Sequence, residues 1–494
     1  MKNSTYSPSL EEFTKLSEGS RCVPVYRDIL ADTETPVSAF LKIDDGSDAF
    51  LFESVEGGEK WGRYSFLGIS PRATFMSRGN VVEIVENGSV RRVEGDPIEL
   101  LREFISPYEA AHFEGMSRFY GGAVGYMGYD MVRLFETLPS DASDELDLPD
   151  SFFMIADIVL IFDNLESRIR IVSNIPVDSE TPPAELYGRA KERINGVVAR
   201  LKEGKIPPVR NSEISGDGIV SNCTRDGFVE AVNTAKEYIR AGDIIQVVLS
   251  QRFQTELDVE PFDIYRALRL VNPSPYMFFI RLGGVELVGS SPEILVRVEG
   301  DDIDVRPIAG TRPRGKSEKE DVEYERELLG DAKERAEHIM LVDLGRNDIG
   351  RVSETGSVEV NEFMVVERYS HVMHIVSNVH GTLDEGSDAL DALRACFPAG
   401  TLTGAPKIRA MEIIDEMEPC RRGPYGGAVG YIGFSGNMDM CITIRTILIK
   451  DGKIYIQAGA GIVADSDPDA EFQETISKAK GMLKAVEIAR TGLE

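Results

Sequence analysis

The 494-residue sequence has few of the residues that build redox and zinc sites. Its five cysteines are scattered and form no CxxC pair, which argues against a disulfide framework and against a zinc centre. No run of 18 apolar residues occurs, so we expect no membrane span. The N-terminal residues include acids where a signal peptide needs an apolar segment, and we therefore expect a cytoplasmic protein.

Basic residues are also scarce relative to acidic ones. The chain has 54 Lys and Arg against 83 Asp and Glu, a formal net charge of −29 at pH 7. This charge repels a phosphate backbone, so we expect no nucleic-acid partner. It repels small anions too, and a site for an anionic substrate must be made locally positive by Arg, Lys, helix N-termini or a cation.

A polar stretch at 203–222 divides the sequence into an N-terminal region, 1–215, and a C-terminal region, 216–494. A helix is predicted directly after it, capped by Thr224 and ended by Gly242. The segments YGGAVGYMGYD (120–130) and YGGAVGYIGFS (425–435) match at eight of eleven positions. This repeat indicates two regions that share one sheet architecture and are interleaved. Alternating strands joined by short turns favour antiparallel sheets with helices outside, an α+β fold.

Two predicted helices each carry a pair of glutamates on one face. Glu334 and Glu337 form one pair, and Glu471 and Glu474 the other. A single such pair is usually a solvated helix face. The second pair follows a predicted strand rich in glycine, where charged residues that merely face solvent are less expected. Four carboxylates that face each other need a cation, and oxygen ligands without a Cys/His cluster point to Mg²⁺.

Several other residues in the same segments suit an anionic ligand. Arg445 lies in an apolar predicted strand, CITIRTILI (441–449), and a buried guanidinium there suits a bidentate carboxylate. Tyr425 offers a hydroxyl donor. Lys478 lies four residues after Glu474, so it pairs with Glu474, meets a substrate carboxylate, or does both.

Two further segments are weaker on their own. Gly310 and Thr311 lie in the turn RPIAGTRPRG (306–315), where glycine lets the backbone approach a ligand. His371 and His374 lie on a predicted strand and face opposite ways, so one of them can face a pocket. Spacing alone favours a structural role for either.

Taken in order, these motifs resemble those of a known family. Over 224–482 the sequence resembles the chorismate-utilising enzymes, and over nearly its full length it resembles the large subunits of anthranilate synthase. The segments that carry the resemblance are IIQVVLSQRF (244–253), NPSPYMFF (272–279), GSSPEILVR (289–297), RPIAGTRPRG (306–315), EHIMLVDLGRND (337–348), FPAGTLTGAPK (397–407) and the C-terminal block 425–482.

The resemblance implies a fold and a reaction. The fold is a four-layer α/β/β/α sandwich of two orthogonally packed antiparallel sheets, built from repeated α-β units. The reaction, in tryptophan biosynthesis, depends on Mg²⁺. Ammonia adds to C2 of chorismate, the C4 hydroxyl leaves, and enolpyruvate is eliminated to give anthranilate and pyruvate.

The resemblance also implies roles for individual residues. The implied metal ligands and the glutamates that support them are Glu337 and Glu474, and Glu334 and Glu471. The implied contacts of the ring carboxylate are Gly459, Ala460, Gly461 and Lys478. The implied contacts of the enolpyruvyl side are Gly310, Thr311, Tyr425 and Arg445. His374 matches a histidine that protonates the leaving hydroxyl, and Thr401 lies beside it.

Two positions discriminate within the family. Gln246 stands where the water-activating isochorismate and salicylate synthases carry lysine, and a neutral amide is not such a base. Ala309 stands where aminodeoxychorismate synthases commonly carry lysine. Both positions favour ammonia as the nucleophile and anthranilate as the product.

The N-terminal region resembles the tryptophan-sensing part of the family. LFES (51–54) corresponds to a motif usually written LLES, so Phe52 is a departure. The residues implied to line a feedback tryptophan site are Glu53, Ser54, Pro275, Tyr276 and Met277. No cysteine has the setting of a glutaminase nucleophile, so we expect a separate glutamine amidotransferase subunit to supply ammonia. The alternatives are aminodeoxychorismate synthase component I and a non-catalytic paralogue that binds tryptophan and a partner.

Overall fold

A computed structural model describes residues 6–54, 63–110, 115–139, 142–207, 218–369 and 372–492. Within these ranges the α-helices, in chain order, are α1 Leu10–Ser17, α2 Pro36–Ile43, α3 Pro97–Ile105, α4 Pro183–Glu203, α5 Arg225–Ala241, α6 Pro261–Val271, α7 Glu318–Gly330, α8 Ala332–Ile349, α9 Ala389–Cys396, α10 Gly400–Thr403, α11 Lys407–Met417 and α12 Pro468–Thr491. Short 3₁₀ helices span Ser106–Tyr108 and Tyr129–Leu134.

The strands of the same ranges are β1 Cys22–Leu30, β2 Ala49–Glu53, β3 Tyr64–Ile69, β4 Ala73–Arg78, β5 Val81–Glu86, β6 Ser89–Glu94, β7 Gly122–Met127, β8 Ser151–Ala156, β9 Ile158–Asp163, β10 Arg168–Pro176, β11 Val220–Ser221, β12 Gln246–Glu256, β13 Tyr276–Leu282, β14 Val285–Ser291, β15 Ile294–Glu299, β16 Asp302–Val305, β17 Ile308–Pro313, β18 Glu359–Arg368, β19 Val372–Thr382, β20 Gly404–Ala405, β21 Ala428–Gly433, β22 Met438–Ile442, β23 Thr446–Lys450 and β24 Lys453–Ile462.

The helices that carry predicted site residues begin where the sequence places their caps. The Thr224 hydroxyl accepts the Gly227 N–H at 3.1 Å, and Gly242 ends α5 with a left-handed φ of 86°. Asp467 accepts the Ala470 N–H at 2.9 Å, and Pro468 is the first residue of α12. The helix predicted around the first glutamate pair is α8. These predictions are confirmed.

The described strands form two antiparallel sheets of twelve strands each. The first sheet has the order β1-β10-β9-β3-β2-β13-β14-β23-β24-β12-β11, with β20 also paired to β12. The second has the order β17-β19-β16-β15-β22-β21-β7-β8-β4-β5-β6, with β18 also paired to β19. Strands from both sides of the predicted boundary at 215/216 share each sheet, through the pairs β2–β13 and β7–β21.

The internal repeat lies at the centre of the second sheet. Its two copies form β7 and β21, which are adjacent and antiparallel. Gly125 lies opposite Gly430, and these are the same position of the two copies, so an approximate two-fold axis passes between them. A Cβ at either position would lie 2.0 Å from a neighbouring backbone oxygen, which is why only glycine fits.

Apolar residues fill three layers of core. One core lies between the sheets, with Phe50, Phe278 and Tyr431 among its members. A second lies between the first sheet and the helices α1, α2, α4, α6 and α12. A third packs α3, α8 and α9 against the second sheet. The α+β class, with two antiparallel sheets between outer helices, is confirmed, and the orthogonal crossing of the sheets stays a prediction. No helix of the described ranges is long and apolar enough to cross a membrane.

Candidate active site

The candidate site begins where β12, β24 and α8 meet. Gln246, the first residue of β12, is buried, and its Nε2 donates to Glu337 Oε1 of α8 at 3.1 Å. Gly461 of β24 lies against the same amide, because a Cβ there would be 2.6 Å from Gln246 Nε2. The other amide atom, Gln246 Oε1, is buried and has no hydrogen-bond partner among the described residues. A buried acceptor of this kind needs a donor, and a bound molecule can supply one.

The glycine strand of β24 continues toward α12. Lys478 Nζ donates to the Gly459 carbonyl at 2.9 Å and pairs with Glu474 Oε1 at 2.7 Å, so the predicted ion pair is present. A Cβ at Gly459 would lie 2.8 Å from the Tyr425 hydroxyl, which places that phenol directly over the strand. Ala460, between the two glycines, is fully buried and packs beneath them.

Each of the four predicted glutamates has a polar partner. Glu337 accepts from Gln246, Glu474 pairs with Lys478, and Glu334 pairs with Arg312 at 3.2 Å. Burial raises the pKa of Glu471, and the charge of Glu474 raises it further. These partners hold the glutamates in the described structure, and the predicted Mg²⁺ between the two pairs stays a prediction. Among the described residues no group of three His, Cys, Asp or Glu side chains converges, so a cation here would take at most two carboxylates, with water and substrate oxygens as its other ligands.

Arg445 does not lie within a strand as the sequence suggested. CITIRTILI spans the end of β22 and the start of β23, and Arg445 lies in the connection with a left-handed φ of 49°. No carboxylate of the described ranges lies within 4.0 Å of its guanidinium. Burial lowers the pKa of Arg445, and the nearby Glu293 carboxyl opposes that shift. A partly buried guanidinium without a carboxylate partner suits an anionic ligand.

Glu293 is the main residue that sequence reasoning missed. It is buried, and burial raises its pKa from its ordinary value of 4.5 to about 8, although Thr401, Arg445 and Lys478 each act to lower it. The carboxyl therefore holds a proton at neutral pH. The sequence GSSPEILVR (289–297) contains a signal, because Glu293 is an acid directly before the apolar residues of a predicted strand.

His374 of β19 lies on the other side of Arg445. Its Nδ1 donates to the Gly310 carbonyl at 3.0 Å, and the Thr311 hydroxyl lies 3.0 Å from the same nitrogen. Burial lowers the pKa of His374, and the positive charge of Arg445 lowers it further, so the imidazole is neutral at pH 7. With Nδ1 protonated, Nε2 carries the lone pair. His371 falls outside the described residues.

These contacts bring the predicted substrate, metal and catalytic residues into one contiguous group. Gly310, whose φ of 68° favours glycine, links the histidine to the glutamates, because a Cβ there would lie 3.2 Å from Glu334 Oε2. Thr401 lies at Glu293 and thus beside Arg445. The site therefore combines two cationic side chains with three other groups. These groups, in the same order, belong to Arg445 and Lys478, to Glu293 as a protonated carboxyl, to His374 as a neutral imidazole and to Gln246 as an amide oxygen without a partner in the described ranges.

The five residues predicted for a regulatory site line a different cavity, between the two sheets. This cavity encloses about 480 Å³ of empty space, part of it open to solvent. Residues of β2, β3, β13, β21 and β22 and of the segment before β7 complete its wall, among them Phe52, Arg118, Tyr431, Asp439 and Cys441. The predicted residues that line it are Glu53, Ser54, Pro275, Tyr276 and Met277. The structure thus brings all five together.

Charged groups at two sides of this cavity are held in fixed positions. The Tyr276 hydroxyl donates to Asp439 Oδ1 at 2.8 Å, and Arg297 pairs with Asp439 Oδ2 at 2.8 Å. Opposite them, Glu53 pairs with Arg269 at 2.9 Å, and burial raises the pKa of its carboxyl. The cavity therefore offers anchored polar groups around an apolar interior, as small-molecule sites typically do.

Known protein families and structures include relatives of this chain. The model of the chorismate binding enzyme family matches residues 48–484. The chain belongs to the chorismate-binding enzymes. It is 50% identical over 491 residues to anthranilate synthase component 1 of Acetivibrio thermocellus, a match that covers 98% of this chain and 99% of that protein. The corresponding protein of Aquifex aeolicus is 51% identical over 490 residues, with 98% and 99% covered.

A solved structure extends the comparison to three dimensions. Anthranilate synthase component I from Streptococcus pneumoniae superposes with a TM-score of 0.77 at 38% sequence identity. The match covers 92% of this chain and 98% of that one. This chorismate-binding enzyme thus shares its fold with a relative over almost the whole chain.

Arg445 provides a first test of the site in this chorismate-binding enzyme. Arg445→Lys keeps the charge but loses the planar fork that binds a carboxylate through two hydrogen bonds. We expect the KM for chorismate to rise roughly 10- to 150-fold, the equivalent of one charged hydrogen bond, about 1.5–3 kcal/mol. Steady-state kinetics with chorismate measures it. Arg189→Lys, at an exposed ion pair, is the control, and an equal KM in both variants would exclude Arg445 from substrate binding.

Proposed function

We propose that this chain is the ammonia-using subunit of an anthranilate synthase. The observation that carries the proposal is the environment of Gln246. Its neutral amide lies at the site where the family activates its nucleophile, and its Oε1 is a buried acceptor without a partner in the described ranges. A carboxamide oxygen can accept an N–H of ammonia and orient its lone pair, but it cannot deprotonate water.

The first step is the substitution of the C4 hydroxyl. The ammonia lone pair forms a bond to C2, both ring double bonds shift by one position, and the C4–O bond breaks, after which the ammonium group at C2 releases one proton to solvent. Hydroxide is a poor leaving group, and Glu293 holds the proton that converts it to water. Arg445 binds a substrate carboxylate on the same side and fixes the ring relative to Glu293.

The second step is the elimination that makes the ring aromatic. A base removes the proton at C2 and the C3–O bond breaks, which releases enolpyruvate that takes up a proton to become pyruvate. The neutral His374 suits this base, because the Gly310 carbonyl keeps the proton on Nδ1 and leaves Nε2 able to accept one. The lowered pKa thus favours His374 in the elimination and Glu293, rather than His374, as the acid of the first step.

The donors at the other side of the site fit Mg²⁺. Glu337 and Glu474 are oxygen ligands from two helices, and Mg²⁺ in proteins is typically held by one or two carboxylates together with substrate oxygens and water. Glu334 and Glu471 lie one helical turn before them and support their orientation. Bound there, Mg²⁺ would supply positive charge to the ring carboxylate, next to Lys478.

The proposal includes a partner, a regulator and a compartment. We infer that a glutamine amidotransferase subunit supplies ammonia, since the relatives are named component 1. All five cysteines are unpaired, and burial raises the pKa of Cys22, Cys396, Cys420 and Cys441, which disfavours a thiolate nucleophile in this chain. Tryptophan would inhibit by binding the cavity between the sheets, in a cytoplasmic enzyme of tryptophan biosynthesis.

The regulatory part of the proposal predicts a separable phenotype. Met277 lines the cavity and is buried, so Met277→Thr removes apolar contact with an aromatic ligand and adds a hydroxyl. We expect the inhibition constant for tryptophan to rise roughly 10-fold or more, from a loss of about 1–2 kcal/mol of apolar contact, with turnover kept. Ser54→Ala should weaken inhibition in the same direction. Met76→Thr, on β4 away from the cavity, is the control, and an unchanged constant in Met277→Thr would refute the assignment.

The experiment that tests the function is identification of the product. Purified chain is incubated with chorismate, Mg²⁺ and an ammonium salt, and the products are separated by chromatography and identified by mass and absorbance. We expect anthranilate and pyruvate in equal amounts. A 4-amino product would instead identify an aminodeoxychorismate synthase, and tryptophan binding without turnover would identify a non-catalytic paralogue.

A further inference from the structure

The cavity between the sheets and the substrate side of the active site are connected by a row of residues that pair with one another across β2, β13 and β14 of the first sheet. Across this row, Glu53 of β2 pairs with Met277 of β13, and Met277 pairs with Ser290 of β14. The Ser290 N–H then donates to the Arg445 carbonyl at 3.1 Å. A single strand residue therefore separates a wall of the cavity from the backbone of the substrate-binding arginine.

The next residue makes a second connection. Ser291 pairs with Tyr276 of the cavity wall, and its hydroxyl donates to the Ile442 carbonyl at 2.6 Å. The Ile442 N–H donates in turn to the Glu293 carbonyl at 3.0 Å. Ser290 and Ser291 thus contact, on one side, two residues that line the cavity and, on the other, the backbone that carries Arg445 and Glu293.

The side chain of Ser290 makes further hydrogen bonds to the segment that contacts Arg445. Its hydroxyl accepts from Asn272 Nδ2 at 3.0 Å and donates to the Asn272 carbonyl, and the Ser274 hydroxyl lies 2.9 Å away. Asn272 Oδ1 lies 3.5 Å from Arg445 NH1. Arg445 has a left-handed φ that is uncommon for a non-glycine residue, and the Ser290 N–H bond to its carbonyl constrains its backbone.

We propose that Ser290 and Ser291 are positioning residues that couple the cavity between the sheets to the active site. Both are fully buried hydroxyl residues whose partners lie on different elements. A ligand that displaces β13 moves the row, and the hydrogen bonds of the two serines carry that displacement to the backbone of Arg445 and Glu293. This inference rests on the proposed function for the identity of the two ligands, tryptophan and chorismate.

The coupling is measurable as a binding quantity without turnover. By linkage, if tryptophan weakens chorismate binding by some factor, chorismate weakens tryptophan binding by the same factor. Calorimetric titration of the full chain with tryptophan, with and without chorismate in buffer free of ammonium, gives this factor. Typical coupling is roughly 5- to 150-fold. We expect the factor in the parent to lie in this range and to fall toward 1 in a Ser290→Ala/Ser291→Ala double variant.

The control and the kinetics separate a coupling role from a structural one. Ser173→Ala, a fully buried serine on β10 of the same sheet, should leave the factor unchanged. In the double variant, tryptophan alone should bind within about 3-fold of the parent, and the KM for chorismate should rise more than kcat falls. If the double variant is unstable, the two single variants are titrated instead, and each should lower the factor.

Two results would overturn the inference. One is a double variant that binds tryptophan and keeps the parent coupling factor. The other is a parent protein in which chorismate leaves tryptophan affinity unchanged. Neither result depends on product formation. A failure of the proposed reaction is recognised separately, because chorismate would then bind but yield no anthranilate when ammonium is present.

Discussion

Glu293→Gln is expected to lower kcat for chorismate conversion by about 10²–10⁴-fold, the range for removal of a general acid. Glutamine keeps the shape and the hydrogen bonding of the protonated carboxyl but has no proton to transfer to the leaving hydroxyl. Because the tryptophan cavity is a separate space, tryptophan binding should be retained. Single-turnover kinetics and tryptophan calorimetry on the same protein measure both quantities.

The pH dependence has a definite sign. Glu293 acts as an acid with a pKa of about 8 in the folded protein, so the parent should lose activity as pH rises through about 8, and Glu293→Gln should lack this descending limb. Stability should change in the same direction. The folded-state pKa lies above the ordinary 4.5, so the contribution of Glu293 is full below pH 4.5 and is lost as pH rises toward 8.

Thermal unfolding provides the matching control. At pH 8 the neutral glutamine should raise the unfolding midpoint of Glu293→Gln above that of the parent, because the cost of a buried titrating carboxyl is removed. Glu286→Gln, at a glutamate on β14 whose pKa is also raised by burial but which pairs with Arg281, should retain turnover. Full turnover in Glu293→Gln would exclude Glu293 as the acid.

Glu474→Gln is expected to abolish Mg²⁺-dependent turnover. The amide has the shape of the carboxylate but lacks the charge that a hard divalent cation requires, so the Kd for Mg²⁺ should rise by more than about 100-fold. Lys478 also loses its ion-pair partner, which should raise the KM for chorismate. Calorimetric Mg²⁺ titration with chorismate present and ammonium absent measures the affinity independently of turnover.

The same helix offers a matched control for this variant. Glu487 of α12 pairs with Lys484 at 2.9 Å on an exposed face, three turns beyond the site. Glu487→Gln should leave both Mg²⁺ affinity and turnover unchanged. If Glu474→Gln keeps the Mg²⁺ affinity of the parent, Glu474 is not a ligand of the metal. The proposal that Glu337 and Glu474 hold Mg²⁺ together would then be wrong.

Much of this site could be predicted because its residues depend on local signals. Caps at Thr224 and Asp467 set the register of α5 and α12, and glycine spacing placed β24 beside the glutamate pair of α12. The repeat around Gly125 and Gly430 indicated a shared sheet, and the structure makes the two copies neighbours. These features are encoded within a few residues of sequence.

The parts that were missed depend on tertiary surroundings. Arg445 appeared to lie in one apolar strand, but the chain leaves the second sheet at Ile442 and enters the first at Thr446, and periodicity does not show such a crossing. Glu293 stands out in sequence only as an acid before an apolar strand, and burial, which depends on the fold, is what raises its pKa to about 8. The partners of Glu337 and Glu334, which are Gln246 and Arg312, likewise lie on other elements of the chain.

The central claim is that ammonia adds to chorismate in this site to form anthranilate under tryptophan control. The most direct measurement is the fluorescence of anthranilate formed by the purified chain from chorismate, Mg²⁺ and ammonium ion, with and without tryptophan. We predict a steady rise in fluorescence that tryptophan suppresses in the parent and that Glu293→Gln nearly abolishes. Absence of anthranilate from the parent, with chorismate shown to bind, would contradict the account.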